Sequence, residues 1–101
     1  MSAVTFYKND GGQCANGRNY TQNLHRYGAV CASNHWPLGS VLVLTGRGGR
    51  RMRVTVCDRV GRGTEYDVDP GAFLRLVGPL KKGRGQVRAR LVRRPHKRAR
   101  K

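Results

Sequence analysis

One pair of strand-like segments limits most strongly the folds that this chain can adopt. Residues 40–45 read SVLVLT, and residues 50–58 read RRMRVTVCD, which alternates apolar and polar side chains. Between them, residues 46–49 read GRGG and predict a turn. The second segment places three apolar side chains on one face, and these are Met52, Val54 and Val56. The pattern predicts a β-hairpin with one apolar face.

Further short segments extend this β pattern along the chain. Residues 4–7, VTFY, and residues 86–92, QVRARLV, have the composition of strands. Residues 8–20 are rich in Gly, Asn and Asp and predict an irregular loop. Residues 24–33 fit neither a helix nor a strand clearly. We expect an all-β chain whose short strands close into a small barrel, because closure removes exposed strand edges.

One short helix is predicted in the second half of the chain. Asp69 is placed to cap a helix, and Pro70 suits the first helical position. The Gly78-Pro79 pair then ends the helix. At 101 residues the chain is one domain with one modest core. We assign residues 1–92 to the barrel and residues 93–101 to a basic C-terminal tail.

The charge balance predicts an anionic partner. Lys and Arg number 21 against 5 Asp and Glu, which gives a net charge of +16. Such a surface attracts nucleic acid, anionic cell-wall polymers, acidic membrane faces or acidic proteins. The tail concentrates this charge in six candidate polyanion-binding side chains, which are Arg93, Arg94, Lys97, Arg98, Arg100 and Lys101. Nucleic-acid binding through this tail and the basic face of residues 86–92 is therefore one alternative function.

Several classes of protein are not expected. No segment approaches the roughly 20 apolar residues of a membrane span, and the first ten residues lack the features of a signal peptide. The three cysteines lack CxxC spacing, and with the scattered histidines they predict no metal site. One disulfide with one free thiol, or three buried thiols, both fit the cysteine count. We expect no cofactor.

The scarce carboxylates are clustered. Four of the five acidic residues, Asp58, Glu65, Asp67 and Asp69, fall within twelve positions. Asp69 is interpreted as the helix cap and Glu65 as a solvated loop residue, which leaves Asp58 and Asp67 as the candidate site. The alternative is structural, because the same carboxylates could pair with neighbouring arginines, which are Arg53, Arg59 and Arg62.

Five motifs resemble one known family in order and spacing. They are VTFY, CANG (residues 14–17), WPLGSVLVLT (36–45), RVTVCDR (53–59) and YDVDPGAF (66–73). Together they resemble the rare lipoprotein A-like proteins, which are related to expansins, barwin-type proteins and family-45 endoglucanases. The resemblance covers residues 4–92. It implies a six-stranded double-psi β-barrel with one or two short helices.

The resemblance also implies catalytic positions. The Asp of the family's NDRGP motif falls on Asp58, and that of its (I/L)DLS motif falls on Asp67. In members that act as lytic transglycosylases, a Glu and a His are thought to line the groove with the first Asp. Those two positions are occupied here by Arg18 and Ser33. His35 lies two residues beyond the vacated His position and is a candidate substitute.

Two carboxyl groups suit glycoside chemistry. Cleavage of a glycosidic bond needs an acid that protonates the leaving oxygen. Hydrolysis adds a second carboxylate, about 5–5.5 Å away for retention or about 6.5–9.5 Å for inversion. A lytic transglycosylase needs only one acid, because the sugar's own hydroxyl attacks. The predicted substrate-binding side chains on this groove are Tyr7, Asn16, Ser33, Trp36 and Tyr66.

These observations predict a peptidoglycan-associated module that binds or weakly cleaves cell-wall glycan. A wall-type barrel without a signal peptide and with a basic arm favours a phage virion component, such as a tail protein, that acts at the host envelope; otherwise we expect a cytoplasmic protein. The expected partners are peptidoglycan, other chains of a larger assembly and, in the alternative, nucleic acid. A second alternative is a non-catalytic structural protein of a virion.

Overall fold

The computed structural model describes residues 1–7, 12–61 and 63–95. Its secondary structure is six strands and two α-helices, with 3₁₀ turns at residues 47–49 and 80–82. In chain order these are β1 (Ser2–Phe6), α1 (Tyr20–Tyr27), β2 (Val30–Ala32), β3 (Val41–Thr45), β4 (Arg51–Asp58), β5 (Tyr66–Val68), α2 (Pro70–Leu76) and β6 (Gly85–Arg93).

The strands form a closed barrel in the order β1-β5-β2-β4-β3-β6. Two pairs, β1 with β5 and β2 with β4, are parallel, and the other four neighbours are antiparallel. Closure gives every strand two partners, which removes the unpaired edges of an open sheet. The predicted six-stranded barrel with one or two short helices is confirmed, and the structure has two.

The predicted hairpin is the β3–β4 pair, and its apolar face lines the barrel interior. Leu42, Leu44, Val54 and Val56 are at most 1% exposed. The turn between the strands passes close to α2. A Cβ atom on Gly46 would lie 2.2 Å from the carbonyl oxygen of Leu76, so only glycine fits at this position.

Helix α2 begins as predicted. The Asp69 side chain accepts a hydrogen bond from the Ala72 N–H, and Pro70 occupies the first turn. The other carboxylate oxygen of Asp69 accepts a hydrogen bond from the Val30 N–H at 2.9 Å. Asp69 therefore caps the helix and also joins it to β2. The helix buries Ala72, Phe73 and Leu76.

Helix α1 and strand β2 occupy the segment for which the sequence pattern was ambiguous. Asn19 and Gln22 form a capping box at the start of α1. Gly28, with φ of 80°, ends the helix and allows the chain to turn into β2. Under α1 lies a second apolar cluster of Cys14, Val30 and Cys57 with Tyr7, Tyr20, Leu24 and Tyr27 packed against it.

The cysteines are three buried free thiols, at Cys14, Cys31 and Cys57.

Strand β6 runs through Arg93, which pairs with Val41, so the first residue of the predicted tail belongs to the barrel. The predicted polyanion-binding residues Lys97, Arg98, Arg100 and Lys101 lie outside the described residues. No helix in the described part of the chain is long and apolar enough to cross a membrane.

Candidate functional site

The fold brings Asp58 and Asp67 to the two sides of one residue. Strand β2 pairs with β4 on one side and with β5 on the other. Ala32 is opposite Asp58 in the first pair and opposite Asp67 in the second. Two strand spacings separate the aspartates, which places their Cα atoms about 10 Å apart. The two aspartates therefore flank Ala32 on the two neighbouring strands of the same sheet.

Asp58 ends β4 and ties a loop to the barrel. Its Oδ1 atom accepts hydrogen bonds at 2.8 Å from the backbone N–H groups of Ala15 and Arg59. The side chain is half-buried. These two bonds orient the carboxylate toward the loop that precedes α1, on the same side as the second apolar cluster.

Asp67 is in a less polar environment. Within the described residues its side chain accepts one hydrogen bond, from the Thr5 hydroxyl on β1 at 2.8 Å. Burial raises the pKa of the Asp67 carboxyl, the Thr5 hydrogen bond opposes this shift, and the charge of Asp58 adds to it. A raised pKa is a property that a carboxyl group needs in order to donate a proton near neutral pH.

Arginines do not neutralise the pair in the described part of the chain. Arg59 is the neighbour of Asp58 in sequence, but its Nη1 donates instead to the carbonyl oxygens of Ser33 and Trp36, both at 2.7 Å. Arg53 is exposed on the opposite half of β4, and residue 62 is not described. The structural alternative, in which arginines pair with these aspartates, is not seen among residues 1–7, 12–61 and 63–95.

Tyr7 and Asn16 lie beside Asp58. The Tyr7 ring packs on Tyr20 with 5.1 Å between centroids, and its hydroxyl is 4.0 Å from the sulfur of Cys57. Burial, with the charges of Cys57 and Asp58, raises the pKa of Tyr7 far above its ordinary value, so the phenol stays protonated. We refer to Tyr7, Asn16, Asp58 and Asp67 as the acid site.

Asn16 has a structural role in the acid site. Its side-chain amide pairs with that of the buried Asn23, through bonds of 2.7 and 3.2 Å. Its backbone N–H donates to the carbonyl of Cys57. The nearby Cys57 thiol is neutral at physiological pH, because burial, followed by the charge of Cys14, raises its pKa to about 12. Asn16 therefore holds the loop against the end of β4.

Three other predicted residues, His35, Trp36 and Tyr66, line a separate depression, which we call the Trp36 cleft. It has a volume of about 470 Å³ and is lined by Asn34, His35, Trp36, Glu65, Tyr66 and Arg88, among others. Trp36 Nε1 donates to the Tyr66 hydroxyl at 2.9 Å, and the His35 ring meets Trp36 edge-on with 4.8 Å between centroids. Neither aspartate of the acid site lines this cleft.

The structure therefore divides the predicted site into two neighbouring parts. His35 lies in the Trp36 cleft and makes no hydrogen bond to either aspartate, so it does not replace the missing family histidine beside them. Ser33 has no exposed surface, and its hydroxyl accepts a hydrogen bond from the His35 N–H. Ser33 thus shapes the loop and is not available to touch a ligand in this conformation.

A short bridge joins the two parts. The Ser33 N–H donates to the Asp58 carbonyl, at 3.0 Å. The Asn34 amide donates to the Val60 carbonyl and accepts from the Val60 N–H. With the two bonds from Arg59, these contacts hold residues 33–36 against residues 58–60. The bridge fixes the position of the Trp36 cleft relative to the acid site.

Several residues of the site were not predicted. Thr5, Asn23 and Arg59 each hold a predicted residue in place. Their hydrogen-bond partners lie 62, 7 and 26 positions away along the chain, respectively. No local sequence pattern therefore predicts the contacts of Thr5 and Arg59. Among the described residues no group of three His, Cys, Asp or Glu side chains is arranged to hold a metal ion.

The comparisons with known proteins point to the fold. No family model matches the chain, and no curated protein matches it by sequence. Among solved structures, cerato-platanin 3 from M. perniciosa superposes with a TM-score of 0.67 at 18% identity, covering 91% of this chain and 93% of that one. The solution structure of the fungal elicitor cerato-platanin gives 0.64 at 18% identity, covering 90% and 92%. At this identity the likeness shows a shared architecture, and the chain has the fold of a double-psi β-barrel.

Proposed function

We propose that this protein is a cell-wall carbohydrate-binding module, with peptidoglycan as its glycan and weak glycan cleavage as its only chemistry. The observation that carries the proposal is the bridge of residues 33–36 and 58–60. It sets an aromatic cleft beside a pair of interacting carboxyl groups. We infer that an extended glycan bound in the cleft continues along the bridge toward the acid site.

The Trp36 cleft has the features of a sugar-binding surface. Trp36 is half-buried, and its hydrogen bond to Tyr66 fixes the ring. Carbohydrate sites combine an apolar ring face with a few placed polar groups, and the exposed side chains of Asn34, Glu65 and Arg88 supply the latter.

The acid site supports at most slow cleavage. Asp67 has the raised pKa that an acid catalyst needs, and Asp58 is a second carboxyl group within electrostatic range. However, the positions of the family's Glu and His are occupied by Arg18, which is exposed, and Ser33, which is buried. The set that lines the groove in active relatives is therefore incomplete.

Sedimentation with purified peptidoglycan tests the proposal. We expect the wild-type protein to sediment with the wall, and Trp36→Ala to bind roughly tenfold more weakly, since truncation of a central Trp costs more than about 1 kcal/mol. Leu74→Ala is the matched control, because Leu74 is an apolar side chain that is 49% exposed on α2. Equal binding by the two variants, or no sedimentation of the wild type, would refute the proposal.

Mass spectrometry of the soluble products separates binding from cleavage. Anhydro-sugar products that disappear in Asp67→Asn would establish transglycosylase chemistry, and hydrolysed products would establish a glycosidase. Sedimentation without products would define a binding module. The proposal also places the chain in a phage particle, and mass spectrometry of purified virions tests that part.

A further inference from the structure

The outer face of strands β4, β3 and β6 carries arginines in register. Thr45 on the central strand pairs with Arg51 on one side and Arg88 on the other. Two residues along, Val43 pairs with Arg53 and Arg90. With Arg93, which pairs with Val41, these side chains form a surface that we call the arginine face: Arg51, Arg53, Arg88, Arg90 and Arg93.

The register sets the dimensions of the arginine face. The two columns of arginines stand two strand spacings apart, which is about 10 Å. The two complete rows are separated by two residues, or about 7 Å, and Arg93 extends the face toward the start of β3. The face is therefore an array of arginines at fixed spacings on a sheet.

Nothing in the described part of the chain neutralises this array. All five arginines are exposed. Of the four described carboxylates, only Glu65 shares a cleft with one of them, Arg88, and its Oε1 atom accepts a hydrogen bond from the Ala3 N–H. Five like charges on one face repel one another, and this repulsion is relieved when an anionic partner binds.

A depression at one end of the face adds to its charge. It has a volume of about 440 Å³ and is lined by Arg26, Arg53 and Arg93, with no acidic side chain among its lining residues. Tyr27 also lines it, and the guanidinium of Arg26 lies over the Tyr27 ring at 5.6 Å. The depression offers three guanidinium groups to a single anion, and guanidinium groups bind phosphate oxygens in a bidentate manner.

The side chains between the arginines indicate which polyanion fits. Val43 and Thr45 lie between the columns, and the outer face of the three strands carries no aromatic side chain. Proteins that bind single strands stack successive bases on aromatic rings, and the three strands of this face offer none. The Tyr27 ring in the depression at its end is stacked against the Arg26 guanidinium. A duplex presents only its phosphates to such a surface, at about one charge per 1.7 Å of its axis.

We propose that the arginine face binds the phosphate backbone of double-stranded DNA without sequence preference. This site is separate from the acid site, and only Arg88 is shared with the Trp36 cleft. DNA binding by the arginine face does not depend on the proposed glycan-binding function.

Anisotropy of a labelled DNA duplex of about 20 base pairs, with the full-length chain, tests the proposal. We expect log K to fall linearly with log[salt] between about 50 and about 200 mM. In Arg53→Ala/Arg90→Ala, the slope should fall in magnitude by about 1.8, because each lost phosphate contact removes about 0.9. The affinity at low salt should fall at least tenfold.

The control variant is Arg18→Ala/Lys81→Ala, which removes the same charge from exposed positions away from the face. It should keep the wild-type slope. A double variant Arg53→Ala/Arg90→Ala that behaves like this control would overturn the proposal. A single strand or polyglutamate of equal charge that binds as tightly as the duplex would overturn it as well. Circular dichroism verifies that both variants are folded.

Discussion

At the scale of single residues, the two aspartates of the acid site differ in their surroundings. Both side chains are half-buried. Within the described residues Asp58 accepts two backbone hydrogen bonds, whereas Asp67 accepts one from a hydroxyl group. Burial raises the pKa of Asp67, so this carboxyl retains its proton to a higher pH than an ordinary aspartate. Neighbouring carboxyl groups with unequal environments are typical of sites that transfer protons.

The raised pKa predicts that Asp67 lowers the free energy of unfolding by an amount that depends on pH. A carboxyl whose pKa is higher in the folded state than in the unfolded state destabilises the fold when it is ionised in both. Asp67→Asn keeps an acceptor for Thr5 and removes this charge. We expect the variant to have a higher free energy of unfolding than wild type near pH 7, by urea denaturation.

The advantage of Asp67→Asn should shrink as the pH falls through the raised pKa and vanish below the ordinary value of 3.8. Glu65→Gln, at an exposed position, controls for the loss of one negative charge. The prediction would be wrong if Asp67→Asn were less stable than wild type at neutral pH. It would also be wrong if the difference in free energy of unfolding between the two proteins did not change with pH.

Residue types in the acid site were largely predictable, but their contacts were not. The family-like motifs around Asp58 and Asp67 predicted that the two carboxylates converge, and the structure places them on either side of Ala32. The bond from Ala15 to Asp58 spans 43 positions along the chain. Its existence depends on how the loop closes over β4, which no local pattern specifies.

At the scale of elements, Asp69 connects α2 with the barrel. It is 5% exposed, and its two oxygens accept from the N–H groups of Ala72 and Val30. In Asp69→Ala we expect a loss of about 2–4 kcal/mol, because the helix loses its cap and a buried N–H loses its partner. Chemical denaturation measures the loss.

The conservative variant Asp69→Asn is the control for this prediction. It keeps one acceptor oxygen, so it should lose less stability than Asp69→Ala. A cost of Asp69→Ala below about 0.5 kcal/mol, which is the range of ordinary surface substitutions, would show that the cap is dispensable.

The hairpin turn depends on its close approach to α2. Gly46→Ala would place a Cβ atom 2.2 Å from the Leu76 carbonyl oxygen. We expect a loss of about 2 kcal/mol or more, since the backbone must move to relieve the contact. Gly61→Ala is the matched control, because its Cβ meets nothing within 4 Å and its φ is not positive. Similar melting temperatures for the two variants would contradict this interpretation.

Long, well-patterned elements were predictable, and short ones were not. Strands β3, β4 and β6 and helix α2 follow from alternation and from the Asp69-Pro70 signal. Strands β2 and β5 have three residues each, too few for a periodic pattern. Helix α1 has eight residues, and its apolar stripe is limited to Tyr20, Leu24 and Tyr27, which is too short a repeat to predict a helix.

At the scale of the whole molecule, the barrel presents two chemically different surfaces. The Trp36 cleft and the acid site combine aromatic and carboxyl groups, whereas the arginine face carries five uncompensated positive charges. The central claim is that glycan occupies the first surface, because the bridge of residues 33–36 and 58–60 joins its two parts.

A titration of ¹⁵N-labelled protein with soluble peptidoglycan fragments, followed by NMR, tests this claim most directly. The account predicts that the Trp36 indole N–H and the amides of residues 33–36 and 58–60 shift together along one binding curve. Shifts confined to the arginine face, or no shift at any concentration of fragment, would contradict it.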